Sequence, residues 1–309
     1  LKDEALPFRG RSVNDCIQGL GSAQDAIRRA AAWALVELGQ EAAPATVALT
    51  CLLTDEEVRM PALHALETIG PEAYPAADDI AALLSHHDPF VRQGATFALG
   101  GIARPQNWDE DVHAYAVEDI SPYAHTVVMP LKQALHDPHE DVRWIAAFGL
   151  SRCGQAAAPA LPDAIRMVSG TNTDLRAAGL RVLCGMGPAA ADAVPLLTEQ
   201  YLAAKAEDRN VTWTLASIGH GASAAIESLV RFQTIENPYL ADTCYALCCI
   251  GQKESDLRML AELLGDERCP RGVSEWEDVA RFLIALGSRA EKVAPLVRRK
   301  LLLLDDHVE

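Results

Sequence analysis

Apolar and polar positions alternate along this chain in one repeated pattern. An apolar residue is followed by two variable residues, a second apolar residue and then glycine. The copies end at Gly39, Gly70, Gly154, Gly187, Gly219, Gly251 and Gly287, with Ala103 in the glycine slot of the third. Successive copies lie 31, 33, 51, 33, 32, 32 and 36 residues apart. Counting back from the glycine, apolar or small residues recur at −12, −8, −5, −4 and −1. They are Val58, Ala62, Ala65, Leu66 and Ile69 in the second copy, and Val142, Ala146, Gly149, Leu150 and Cys153 in the fourth. Steps of four, three, one and three draw a single stripe on an α-helix. The glycine then ends the helix, because it enters a left-handed cap without strain.

Behind each glycine comes a short linker rich in alanine and proline, as in Gly39–Pro44, Gly70–Pro75 and Gly154–Pro159. A second apolar helix follows, such as Asp79–Leu84 or Ala164–Val168. Asp88-Pro89 and Asp137-Pro138 read as helix starts, with proline where its missing N–H costs nothing. Each unit is thus two antiparallel helices, and neither buries its stripe alone. A period in the low thirties is the mark of a stacked array. The pattern predicts an all-α fold, a right-handed superhelix of about eight helix pairs spanning residues 1–309 as one solenoid. The 51-residue spacing marks an inserted segment at about 104–125. Insertions in such arrays usually emerge on the working face. This one concentrates Trp108, Tyr115, Tyr123, His113 and His125 among acidic residues.

The residues resemble HEAT repeats, specifically the short type of phycobilisome lyases and many bacterial proteins. That family reads Asp-x-x-Val-Arg, then Ala-x-x-Ala-Leu-x-x-Ile-Gly. Asp55-Glu56-Glu57-Val58-Arg59 and Asp88-Pro89-Phe90-Val91-Arg92 fit it. The arginine at −11 is present as Arg28, Arg59, Arg92, Arg143 and Arg176, and is replaced by Asp208, Leu240 and Trp276 in the last three copies. The resemblance implies that the aspartate and arginine bond neighbouring units, so the arginine row is structural. It fixes the fold and not the function, since such repeats serve many unrelated tasks.

Position −6 is different. It holds Trp33, His64, Phe97, Phe148, Arg181, Trp213, Tyr245 and Arg281, taking five of the chain's 17 aromatics. At about 100° per residue this slot lies roughly 140° from the centre of the buried stripe. The family resemblance implies that this helix lines the concave side. Trp144 at −10 joins the same face, four residues from Phe148. Two readings compete. The row is either an aromatic-lined binding groove, with His64, Arg181 and Arg281 fixing orientation, or lateral packing between adjacent helices. On the first reading Trp108 and Tyr115 of the insertion help to close the groove.

The net charge of −16 argues against nucleic acid, whose binding needs a basic face, and favours a partner with a basic segment. The eight cysteines show no Cys-x-x-Cys pair and no disulfide spacing, which suits reduced thiols and a cytoplasmic setting. The first residue, Leu1, is not methionine, so a cleaved leader remains an alternative. No stretch of about 20 apolar residues stands out, and no membrane span is expected. Asp109, Asp111 and His113 match no defined metal site, and neither metal nor cofactor is expected. A di-iron site of the kind that HEAT-like deoxyhypusine hydroxylases use needs several His-Glu pairs; His139-Glu140 is single. Catalytic glycine, serine and zinc-helix motifs are absent. The sequence therefore points away from an enzyme, to a scaffold that holds a protein segment in an aromatic groove. The alternative is a small-molecule or cofactor-handling protein resembling a bilin lyase or chaperone.

Overall fold

The computed structural model describes residues 6–104, 121–205, 207–231 and 239–251. The fold is an α-helical repeat solenoid, and among the described residues no strand occurs. Its helices gather into two compact units, one closing at Gly185 and the other running on from Met186.

The first unit contains α1 (Val13–Leu20), α2 (Asp25–Leu38), α3 (Thr46–Cys51), α4 (Arg59–Ile69), α5 (Ala77–Ala82), α6 (Pro89–Ile102), α7 (Ala124–Ala134), α8 (Glu140–Arg152), α9 (Leu161–Ser169) and most of α10 (Thr173–Met186). Helices α2, α4, α6 and α8 carry the repeat pattern and stack side by side as one layer. Every stripe residue named for the second copy is fully buried, as are Val142, Ala146, Leu150 and Cys153 of the fourth. Removing such a leucine side chain typically costs about 2–5 kcal/mol. The shorter helices α1, α3, α5, α7 and α9 form the second layer. Close approach within the first layer is set by glycine. A Cβ at Gly101 would lie 2.5 Å from the Glu67 carbonyl oxygen, so α4 and α6 meet backbone to backbone there.

The linkers are more regular than the sequence suggested. Gly39–Ala45, Gly70–Ala76 and Gly154–Ala160 are each a seven-residue 3-10 helix. The glycines that open them have φ of +55°, +77° and +54°. At Gly39 and Gly70 ψ is −127° and −136°, which is not the left-handed helical cap expected but a region open to glycine alone. Ala103 has φ −72° and ends α6 in right-handed geometry, where the insertion departs.

Helix starts follow the sequence in one case and depart from it in another. Asp88 caps α6, accepting from the Phe90 amide at 2.9 Å, with Pro89 in the first turn. Asp137 does not cap α8, which begins at Glu140 behind His139. Its carboxylate is drawn away by Arg92, whose Nε and Nη2 donate to it at 2.7 and 2.9 Å. Arg28 grips Asp55 in the same way, at 3.0 and 2.6 Å. Arg59 meets His86 at 3.4 Å where an aspartate would complete the pattern, and Arg143 donates to the Asp137 and Pro138 carbonyls. Arg28, Arg59 and Arg92 thus reach the next repeat, whereas Arg143 ties down the start of its own helix.

The second unit holds α11 (Val194–Ala203), α12 (Arg209–Ile218), α13 (Ile226–Val230) and α14 (Leu240–Gly251), with 3-10 linkers at Gly187–Ala193 and Gly219–Ala225. Helices α12 and α14 stack as their counterparts do in the first unit. Tyr201 is fully buried, its hydroxyl 3.2 Å from Thr243 Oγ1. The run Thr173–Ala203 is long and apolar enough to meet the criterion for a membrane span, contrary to the sequence expectation. Gly187, at φ +56°, divides that run into α10, a 3-10 turn and α11.

Candidate functional site

The −6 row falls into three local arrangements. The most open is built on α8. Trp144 and Phe148, one turn apart, stack with ring centroids 6.0 Å apart and planes 13° from parallel. Trp144 is 45% exposed, and Phe97 on the adjoining α6 is 43% exposed. Arg181 on α10 places its guanidinium 5.7 Å from the Trp144 ring centre and 5.4 Å from that of Phe148. From the buried side a second guanidinium, Arg152, lies 4.2 Å from the Phe148 centre. Arg152 is itself buried and donates to the Gly100 carbonyl at the end of α6, 3.2 Å away. A cation in the last turn of a helix complements the exposed carbonyl end of its neighbour. Phe148 thus has two cations against its ring, and Trp144, stacked beside it, is nearly half exposed. We call this surface the shelf.

The start of the row is more closed. Trp33 on α2 stacks on His64 of α4 at 5.5 Å, 26° from parallel, and both are half-buried. The Trp33 indole nitrogen is buried without an acceptor. An acceptor brought there by a ligand would relieve that cost, which is why Trp33 and His64 stay among the candidates.

In the second unit the row is closed. Trp213 donates its indole N–H to Asp242 at 2.8 Å, and Arg209 Nε donates to the same carboxylate at 3.1 Å. Tyr245 tilts against Trp213 at 5.8 Å and is only 6% exposed. This removes Tyr245 from any open surface and corrects its expected exposure. Here the packing account holds, because α14 supplies both a carboxylate and a ring. Arg281, Trp108 and Tyr115 lie outside the described residues, as does most of the insertion. The two ends of that insertion are pinned. Arg104 donates to the Glu67 and Thr68 carbonyls at 3.2 and 3.1 Å, and Ser121 donates to the Ile102 carbonyl at 2.9 Å.

Sequence reasoning missed Arg152 and Asp242. Neither falls in a repeated charged slot. The signal present in each case was a charge inside an otherwise apolar helical turn.

Other candidates give no chemistry. Burial pushes the Cys153 thiol up to about 12, against the smaller opposing effect of nearby Arg152, so it stays protonated at neutral pH. Among the described residues no three His, Cys, Asp or Glu side chains converge as a metal site would require. An open cleft of about 420 Å³ is lined by Ala81, Leu84, Met129, Pro130, Lys132 and His136. Its two basic residues are turned to the buried Asp163, at 3.7 and 3.2 Å.

Residues 27–46, covering the end of α2 and its linker, match the sequence model of the PBS lyase HEAT-like repeat. The match covers one HEAT-like repeat. No curated protein sequence matches this HEAT-like chain. Among solved structures it is similar to an engineered protein at 22% identity, covering 94% of this chain and 87% of that one, with a TM-score of 0.54. It is also similar to the karyopherin Kap121p bound to the SUMO protease Ulp1p, at 17% identity and a TM-score of 0.55. That match covers 84% of this chain and 30% of the karyopherin. The complex of CpcE and CpcF of phycocyanin lyase from Nostoc aligns more loosely, at 18% identity over 81% of this chain and 92% of that one, with a TM-score of 0.44. At these identities the HEAT-like chain shares a fold with the first two.

Proposed function

We propose that this chain is a non-catalytic scaffold that captures a protein segment on the shelf formed by Phe97, Trp144, Phe148 and Arg181. One observation supports the reading above the others: two large aromatic side chains on adjoining helices stay 43% and 45% exposed while the neighbouring stripe is fully buried. Tryptophan and arginine are the residues most enriched at binding hot spots. A rigid stacked pair loses little side-chain freedom when a ligand settles on it. Trp33 and His64, earlier in the same row of the first unit, are further contact candidates, and Trp213 is committed to Asp242 within the second unit. The similar karyopherin is bound to a protein partner, which is the use of the fold that this reading shares.

The test is affinity capture from the source lysate with three forms of the chain. Wild type and Trp213→Phe retain the same captured protein. The Phe97→Ala/Trp144→Ala double variant loses it with an unchanged thermal midpoint. Equal capture by the double variant refutes the assignment.

A further inference from the structure

We propose that the shelf takes an acidic side chain of the bound segment, seated beside an apolar residue of the same segment; this rests on the shelf being the binding surface. The net charge of −16 points to a basic partner, but the shelf has a different local balance. Arg181 is exposed, with its guanidinium against the Trp144 and Phe148 rings; among the described residues no carboxylate or carbonyl accepts from it. Its guanidinium therefore keeps a full set of N–H donors, in the fork that fits a carboxylate with two bonds.

The aromatic faces point the same way. A lysine or arginine on a partner would seek the negative face of a ring. Phe148 already has Arg152 at 4.2 Å and Arg181 at 5.4 Å, so a third cation meets two like charges there. The acids on the helices that carry the shelf lie along their axes. Glu140 is eight residues from Phe148, about 12 Å along α8, and Asp174 is seven from Arg181, about 10 Å along α10. Both spacings exceed the screening length of about 8 Å at physiological salt, while Glu140 lies one turn, about 6 Å, from Trp144 on the side away from Phe148. Asp141 is engaged by Gln93 at 2.9 Å and faces His139 at 3.6 Å. From α6 the facing residues are Gln93 and Phe97, and Arg92 is committed to Asp137. At contact range Arg181 decides, and it selects a carboxylate. Trp144 supplies the apolar seat beside it, with Phe97 exposed on the adjoining α6.

Panning a random peptide library on the full chain, with counter-selection on Trp144→Ala/Phe148→Ala, tests this directly. The expected peptides place Asp or Glu beside Leu, Phe or Trp. Their synthetic forms lose about tenfold or more in affinity against Arg181→Gln, and a similar factor when the peptide acid becomes its amide. Arg181→Lys recovers part of the loss, which separates a charge effect from a disturbed fold. Thermal midpoints of the variants match wild type. Shelf-dependent peptides that are basic, or whose affinity ignores Arg181→Gln, overturn the acidic preference while leaving the shelf as a binding surface. A selection that yields no shelf-dependent peptide overturns both.

Discussion

Helices α8 and α12 carry large side chains at the same two repeat positions, −10 and −6, and use them in opposite ways. On α8 these are Trp144 and Phe148; on α12 they are Arg209 and Trp213. The difference lies in the next helix at −9. After α12 that position is Asp242, which accepts from both Trp213 and Arg209. After α8 it is Ala178, which is buried and offers nothing to an indole. At −6 the following helix presents buried Tyr245 in one case and exposed Arg181 in the other. An aromatic in this row is therefore neither core nor site by its own position. Its neighbour one repeat later decides which.

The comparison is broken most strongly by Asp242→Ala. It removes the buried carboxylate that accepts from Trp213 and Arg209, a loss of about 2–3 kcal/mol. Urea unfolding reads it. If Trp213 were a surface aromatic, the loss would be near zero. Next in size is Asp137→Asn at the α6–α8 junction beneath the shelf, at about 2 kcal/mol. Burial raises the Asp137 carboxyl, but Arg92 and the His139 amide outweigh it and hold the carboxyl below its ordinary value. A depressed folded pKa gives stability that is complete above the unfolded value near 4 and is lost as pH falls through the folded one. Wild type therefore loses this contribution below about pH 4, and Asp137→Asn has no such loss to show. Acid titrations of thermal midpoint check it.

Trp213→Phe keeps an aromatic ring but loses the N–H to Asp242 and part of the ring area, a loss of about 1 kcal/mol. The smallest effect belongs to Trp144→Ala, within about 0.5 kcal/mol as for other surface changes. The same variant removes the most exposed tryptophan among the described residues, so the quenchable share of fluorescence falls with it. A large stability loss at Trp144 would erase the distinction between the two helices.

The stripe from Val58 to Ile69 was legible because burial in a helix follows a period that depends on the chain alone. The same holds for the Arg28–Asp55 pair, which recurs in register. The aromatic row was legible as a set of positions, and its exposure was not. Whether Trp213 or Trp144 meets solvent depends on Asp242 and Ala178, some thirty residues on, where no period constrains the choice. The linkers read as loops because 3-10 geometry has no apolar rhythm of its own over seven residues. Asp137 misled for a related reason: its local context is that of a cap, and a distant arginine claims it.

Arg104 and Ser121 fasten the two ends of the inserted stretch to the carbonyl ends of α4 and α6. Both feet are held by main-chain oxygens, which every residue carries, so the anchorage depends on the identity of Arg104 and Ser121 and not on the side chains of the helices that receive them.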